Sequence, residues 1–343
     1  MTKTNPKICV LGGGSWGATI ASHLAKKEYS VHLWEFMDSQ VEEMKKNRTL
    51  PFLKQLQIPQ SLFISSNMEE ALQGTSIIFS VVPSQFVRST WKKAKPFISE
   101  LELVASFSKG IESDTLKRMS EVIVEECPMA SEKIAAVSGP SHAEEVAVSI
   151  PTAIVAASKH KAIAESTQNL LSTSNLRIYT NPDVIGIELS GALKNIFAIA
   201  CGACDGLHLG DNTKSALITR GLNEMSKLGE KMGAKETTFF GLAGMGDLVV
   251  TCLSQHSRNR LLGEKIGIGK SVKEALKEMT MVAEGYPTTK SAYQLVKKYN
   301  SDCPIIMEIY HVLYEGKNIK DSMHDLLARP AHGEIENMQW NLQ

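Results

Sequence analysis

Three groups of residues have types and spacings that could carry chemistry. Gly12, Gly14 and Gly17 fit G-x-G-x-x-G directly after the apolar run 8–11. In that pattern the first glycine allows a tight turn and the second lets backbone approach a pyrophosphate. The third lets the following helix pack close to the strand. The helix N-terminus then offers free N–H groups and a partial positive charge. A tight strand–helix turn with no ligand uses the same residues, so the flanking elements decide the reading. Glu35, at the end of the next apolar run, would accept bonds from the ribose hydroxyls of NAD and repel the 2′-phosphate of NADP. Phe36 beside it would cover an adenine face. A solvated strand-end acid is the alternative.

The second group is ionisable. Lys194, with Asn195, stands in an otherwise apolar helical stretch. A buried lysine is costly unless paired, and its pKa falls readily. Such a lysine exchanges protons near neutral pH. A lysine reaching out to the surface is the alternative. Lys109 follows a strand, in Ser-Phe-Ser-Lys-Gly (106–110), where it would face a cleft or sit on a surface loop. Asp247 closes a second glycine-rich turn, 241–247, which precedes no helix of the first type. Its carboxylate is suited to pairing a catalytic lysine.

The third group is suited to binding. Ser-Gly-Pro-Ser-His-Ala (138–143) follows a strand, and its small residues and backbone N–H groups suit close approach to a ligand. His142 is a conceivable acid or base, but no neighbour in sequence orients it. Ser257, Arg258 and Asn259 open a helix whose N-terminus and guanidinium fork suit a phosphate. A capped surface helix would look the same.

These residues need a scaffold that brings them together. Apolar runs at 30–35, 77–82, 103–107, 134–137 and 153–156 alternate with helix-length segments, beginning with 18–27 and 38–46. That alternation predicts a mostly parallel sheet covered by helices, binding ligands beyond the carboxyl ends of its strands. Pro83 ends one strand at that edge. After about residue 181 strand signals stop. Segments 184–203, 213–232, 258–265, 288–299 and 305–314 read as helices, the first apolar nearly all round and hence central. The expected division is a Rossmann-type α/β domain over 1–185 and an all-α domain over 186–343.

The bulk properties exclude several classes. Lys plus Arg and Asp plus Glu each number 37 in 343 residues, so no global field recruits nucleic acid or an acidic membrane. Hydrophobic residues make up 43% and charged residues 22%, as in ordinary globular proteins. No leader pattern and no membrane-spanning run is read in the sequence. Six cysteines in this length suggest no disulfide framework, so a reduced, cytoplasmic setting is expected. Cys201 and Cys204 have metal or redox spacing, but their apolar helical context favours packing. No metal site is expected.

Assembled in order, the segments resemble the NAD(P)-dependent glycerol-3-phosphate dehydrogenases of the bacterial and organellar form. The match covers about residues 8–327. It rests on Gly-Gly-Gly-Ser-Trp-Gly (12–17), Val-Val-Pro-Ser (81–84), Ser-Lys-Gly (108–110), Ser-Gly-Pro-Ser (138–141) and Leu-Ser-Gly-Ala-Leu-Lys-Asn (189–195). It continues through Ala-Leu-Ile-Thr-Arg-Gly (216–221), Gly-Met-Gly-Asp-Leu-Val-Val-Thr-Cys (244–252), Ser-Arg-Asn-Arg (257–260) and Val-Ala-Glu-Gly-Tyr (282–286). The resemblance implies interconversion of sn-glycerol 3-phosphate and dihydroxyacetone phosphate by hydride transfer with NAD or NADP, supplying phospholipid synthesis. It implies Lys194 as general acid/base, Asp247 as its orienting and substrate-contacting carboxylate, and Lys109 as a second lysine near substrate and cofactor. Gly139, Ser141, Ser257, Arg258 and Asn259 match substrate positions, Arg258 also lying near the cofactor. Ser15, Trp16, Ala143, Val282 and Glu284 match cofactor contacts. Many bacterial relatives carry Gly and then a basic residue or His where this chain has Glu35 and Phe36, so a preference for NAD is expected. A homodimer is also expected. A reductase of another small oxo acid on the same architecture is the rival enzyme, and a non-catalytic dinucleotide sensor the rival class. The latter would have no use for Lys194, Asp247 and Lys109 together.

Overall fold

The computed structural model describes residues 6–330. The ends of the two expected domains, 1–5 and 331–343, lie outside the described residues. An eight-stranded sheet is built from β1 (Lys7–Leu11), β2 (Ser30–Trp34), β3 (Phe63–Ser65), β4 (Ile77–Ser80), β5 (Leu103–Ser106), β6 (Ile134–Ser138), β7 (Thr152–Ala157) and β8 (Leu176–Asn181). The order is β3-β2-β1-β4-β5-β6-β7-β8. Every neighbouring pair is parallel except β6 and β7. The chain winds outward from β1 in one direction and from β4 in the other. Their junction is therefore the topological switch point of the sheet. The loops after β1, β4, β5 and β6 all leave its carboxyl edge there.

Strands β1, β4 and β5 are buried on both faces, which explains their unbroken apolar runs. The alternating pattern of β8, with Arg177 and Tyr179 exposed, is that of an edge strand. Sequence reading missed β8, and it missed β3, which is three residues long. Two helix starts also differ from expectation. The first helix begins at Ser15 rather than at 18, because Gly14 already takes the capping position. A helix, Asp247–Leu253, follows the second glycine-rich turn directly.

Beyond Asn181 the described chain is helical. The Val184–Gly206 helix is its axis. Ile187, Leu189, Leu193, Ile196, Phe197 and Ile199 are all buried. Each large apolar side chain buried there contributes roughly 1.5–3 kcal/mol, which offsets the polar groups the same helix takes inside. This helix is long and apolar enough to cross a membrane by length and composition alone. Yet 94% of its apolar window is packed inside the protein, so it serves as a core helix. The Arg258–Gly267 helix lies against it closely, and a Cβ at Gly263 would fall 1.9 Å from the Ile199 carbonyl oxygen. Cys201 and Cys204 are free and buried in this core, and no cluster of metal-ligating residues occurs among the described residues.

The start of the central helix is fastened on two sides. Asp183 accepts from Gly186 N at 2.9 Å, from Lys235 N at 2.9 Å and from Thr238 Oγ1 at 2.7 Å. Glu188 accepts from Arg118 Nη1 at 2.5 Å, Ser120 N at 2.7 Å and Ser120 Oγ at 2.6 Å. Arg118 and Ser120 belong to the sheet half, so Glu188 fixes the helix relative to the strands. That attachment sets where Lys194 emerges.

Candidate active site

The glycine turn is shaped by contact. Gly12 has φ +107°, a conformation L side chains rarely adopt. A Cβ on Gly17 would lie 1.8 Å from the Gly12 carbonyl oxygen, so only glycine lets the helix approach the strand. At Gly14 a Cβ would meet nothing within 4 Å. Backbone is bare there, and the Ser15–Lys26 helix has no side-chain cap on its N-terminus. Ser15 Oγ is buried without a partner beside it. Trp16 packs edge-on against Phe107, with ring centroids 6.3 Å apart. Open space, unsatisfied donors and a helix dipole together fit a pyrophosphate.

Glu35 turns toward this loop. Its carboxylate accepts from Gly13 N at 2.8 Å and from Met37 N at 3.1 Å. Burial raises its pKa from the ordinary carboxylate value, and these backbone bonds oppose the rise. Phe36 is 70% exposed, a bare ring beside that position. On the opposite wall, Glu284 of the helical half accepts from Ser84 N at 3.0 Å and Ser84 Oγ at 2.5 Å. It ties the 281–286 segment, with exposed Val282, to the loop after β4. Ala143 is buried, at the start of the short helix after β6. Glu35 and Glu284 thus both bond backbone of loops at the carboxyl edge, the first to the glycine turn and the second to the loop after β4.

The reactive groups meet where the central helix crosses that edge. Lys194 Nζ donates to Asp247 Oδ1 at 2.5 Å and to Thr251 Oγ1 at 2.6 Å. Lys109 Nζ donates to Asp247 Oδ2 at 2.7 Å and to the Gly139 carbonyl oxygen at 3.0 Å. One carboxylate thus bridges two lysines from two halves of the chain. Lys194 is 5% exposed and Asp247 1%. Burial pulls Lys194 down to about 8 against the opposing attraction of Asp247, and Lys109 lowers it further. Burial alone would raise Asp247, but the two lysines outweigh it and hold it below the ordinary carboxylate value. The result is an aspartate held in its ionised form beside a lysine able to hold or release a proton near neutral pH.

Thr251 escaped the sequence reading. Its hydroxyl donates to the Asp247 carbonyl oxygen at 2.6 Å and thereby accepts from Lys194 in a fixed direction. The signal was present, because Thr251 lies one turn after Asp247 on the same helix face. Arg118 and Glu188 were also missed, as their link joins segments far apart in sequence.

The third group lines the same cleft with less freedom than expected. Asn259 Nδ2 donates to Asn195 Oδ1 at 2.9 Å, and its Oδ1 accepts from Gly285 N at 2.8 Å. Only one amide hydrogen remains for a ligand. Ser257 caps its helix by accepting from Arg260 N at 3.2 Å, keeping its hydroxyl hydrogen. Arg258 is exposed. Ser141 Oγ donates to the Gly139 carbonyl oxygen at 2.9 Å.

The chain is similar to known proteins over nearly its whole length. The family profile described as NAD-dependent glycerol-3-phosphate dehydrogenase N-terminus matches residues 7–164, and the C-terminus profile matches residues 183–324. A glycerol-3-phosphate dehydrogenase [NAD(P)+] of Citrifermentans bemidjiense is 47% identical over 330 residues, covering 96% of this chain and 98% of its own. One from Fusobacterium nucleatum is 43% identical over 332 residues, covering 96% and 99%. The crystal structure of glycerol-3-phosphate dehydrogenase from Coxiella burnetii superposes with a TM-score of 0.89 at 36% identity, covering 95% of this chain and all of that one. The chain belongs to the NAD-dependent glycerol-3-phosphate dehydrogenase family.

Proposed function

We propose that this chain interconverts sn-glycerol 3-phosphate and dihydroxyacetone phosphate, with Lys194 as the proton carrier. The observation that supports this most is the buried Lys194–Asp247–Lys109 bridge at the carboxyl edge of a nucleotide-binding sheet. When bound, the nicotinamide cofactor supplies or takes the hydride at C2. Lys194 Nζ takes the C2 hydroxyl proton during oxidation and returns it to the C2 oxygen during reduction. Asp247 and Thr251 aim that nitrogen. Lys109 adds positive charge where an alkoxide develops, and fixed charge in a water-poor cleft stabilises it without reorganisation. Ser257, Arg258 and the remaining Asn259 amide hydrogen bind the phosphate. Gly139 and Ser141 form the neighbouring wall.

The finer readings rest on the same residues. Gly12, Gly14, Ser15, Trp16, Gly17, Ala143, Val282 and Glu284 hold the dinucleotide. The buried Glu35 carboxylate opposes a 2′-phosphate, so NAD is the preferred cofactor. Loss of a bidentate phosphate contact and gain of a repulsive carboxylate together favour NADH by roughly 10- to 100-fold in kcat/KM. The sheet half, 1–185, is mainly the cofactor domain and the helical half, 186–343, mainly the substrate and catalytic domain, each lending a few residues to the other's ligand. A cytoplasmic homodimer supplying glycerol phosphate for phospholipid synthesis completes the reading. Initial rates with dihydroxyacetone phosphate and with unphosphorylated dihydroxyacetone, each with NADH and with NADPH, test it. Rapid turnover only of the phosphate ester, faster with NADH, is expected. Comparable rates without the phosphate contradict the substrate, and faster turnover with NADPH contradicts the role of Glu35.

A further inference from the structure

One buried polar atom beside the reactive lysines has no use in the chemistry above. His142 lies in the loop after β6, three residues beyond Gly139, and opens the Ala143–Ala147 helix. Its Nε2 is buried and has no hydrogen-bond partner. Buried polar atoms without partners are rare, because they give up water and receive nothing in exchange. The charged groups acting on His142 are Lys194, Glu144, Asp247 and Lys109, so the ring lies within electrostatic reach of the reactive centre. From the helical half His256 packs against it, with ring centroids 5.8 Å apart at 57°. His256 immediately precedes Ser257, Arg258 and Asn259. His142 is therefore near the lysine that serves C2 and in contact with the residue that leads into the phosphate turn.

Ser138 Oγ, earlier in the same segment, is likewise buried without a partner, but the other neighbouring polar groups are engaged. Lys109 and Lys194 both bond Asp247, and Ser141 bonds Gly139. Burial, and next the charge of Lys194, lower the imidazole pKa, so the ring is neutral near pH 7. A neutral imidazole carries one N–H and one lone pair, and a hydrogen on Nε2 leaves a donor with nowhere to point inside the protein. We propose that His142 is a substrate-binding residue, its Nε2–H donating to an oxygen of dihydroxyacetone phosphate on the phosphate side of C2. The missing partner of this nitrogen arrives with the substrate. This assignment rests on the substrate reading given above.

Three substitutions test it. His142→Leu removes the donor, His142→Gln returns an N–H near the Nε2 position, and His142→Asn places its amide short of it. KM for dihydroxyacetone phosphate, kcat, and NADH affinity by fluorescence titration are measured for each. The expected result is a KM raised about tenfold in the Leu and Asn variants, the size of one neutral hydrogen bond. The Gln variant stays close to the unaltered enzyme, and kcat and NADH affinity change little in all three. Equal KM in the Asn and Gln variants overturns the proposal, and this pair decides even if the Leu variant does not fold. Weakened NADH binding in parallel with KM also overturns it, since packing alone would act on both. Failure of the unaltered enzyme to reduce dihydroxyacetone phosphate overturns the substrate reading and this proposal together. Insensitivity of KM to residue 142 in an active enzyme overturns this proposal alone.

Discussion

The two glycine-rich turns have similar composition and opposite uses. At 12–17 the N–H groups of Gly12 and Gly13 are engaged by the Trp34 carbonyl oxygen and Glu35, but Gly14 is bare, Ser15 Oγ is unpartnered and the helix that follows has no side-chain cap. At 241–247 the backbone satisfies itself. Gly246 N donates to the Gly241 carbonyl oxygen at 3.2 Å, closing a π-helical turn that runs straight into Asp247–Leu253. Gly244 is pressed against neighbouring backbone, where a Cβ would lie 2.0 Å from the Phe239 carbonyl oxygen. The first turn presents backbone to a ligand. The second uses close packing to aim one side chain, Asp247, at two lysines. Such π-helical turns are uncommon and often accompany functional residues. Glycine content alone therefore does not distinguish a binding turn from an aiming turn. What distinguishes them is whether bare backbone at an uncapped helix N-terminus remains for a ligand.

Removing the residue that the second turn aims has the largest expected effect of these. Asp247→Asn leaves Lys109 and Lys194 facing each other without a counter-charge. A kcat reduction of about 10²–10³-fold is expected, measured as dihydroxyacetone phosphate reduction at saturating NADH. A loss confined to KM would place Asp247 in binding rather than in orienting the proton carrier.

Altering the turns themselves sharpens the contrast. Gly17→Ala forces the strand and helix apart and weakens NADH binding by about 10–100-fold, the scale of an overpacking cost of 1–3 kcal/mol. Gly244→Ala displaces Asp247 and lowers kcat by a similar factor while NADH affinity holds. Fluorescence titration and steady-state rates separate the two. If both substitutions act on NADH affinity, the turns do not have different tasks.

Proton inventory gives the smallest effect. Burial and Lys109 lower Lys194, to about 8, so the acid form is lost as pH rises through that value. Below it, kcat/KM for dihydroxyacetone phosphate reduction is level; above it, the value falls by about tenfold per pH unit. Glycerol 3-phosphate oxidation needs the neutral amine and rises through the same pH. Profiles that move in the same direction for both reactions would remove Lys194 from proton transfer.

How much of this was legible in the sequence follows from how local each feature is. The first turn was legible because a strand, a glycine pattern and a helix are contiguous there. The central helix was legible from its apolar run, and its burial of Lys194 followed from the same run. Strand β3 was too short to show a period, and in β8 the exposed Arg177 and Tyr179 interrupt the apolar run that marked the other strands. The helix after 247 was obscured by three glycines in the preceding six residues, which read as a loop until their packing is seen. Thr251 was one helical turn from a named residue, yet its value depends on Lys194 arriving from another segment. Glu188 with Arg118, and His142 with His256, are pairs between the two halves, and no local pattern encodes a partner that distant.

The central claim is that Lys194 carries the proton while the glycine turn at 12–17 holds the dinucleotide independently. Lys194→Ala, assayed for dihydroxyacetone phosphate reduction and titrated with NADH, separates the two tasks in one protein. The account predicts a kcat lower by about 10²-fold or more with NADH affinity unchanged. Near-normal turnover would contradict it.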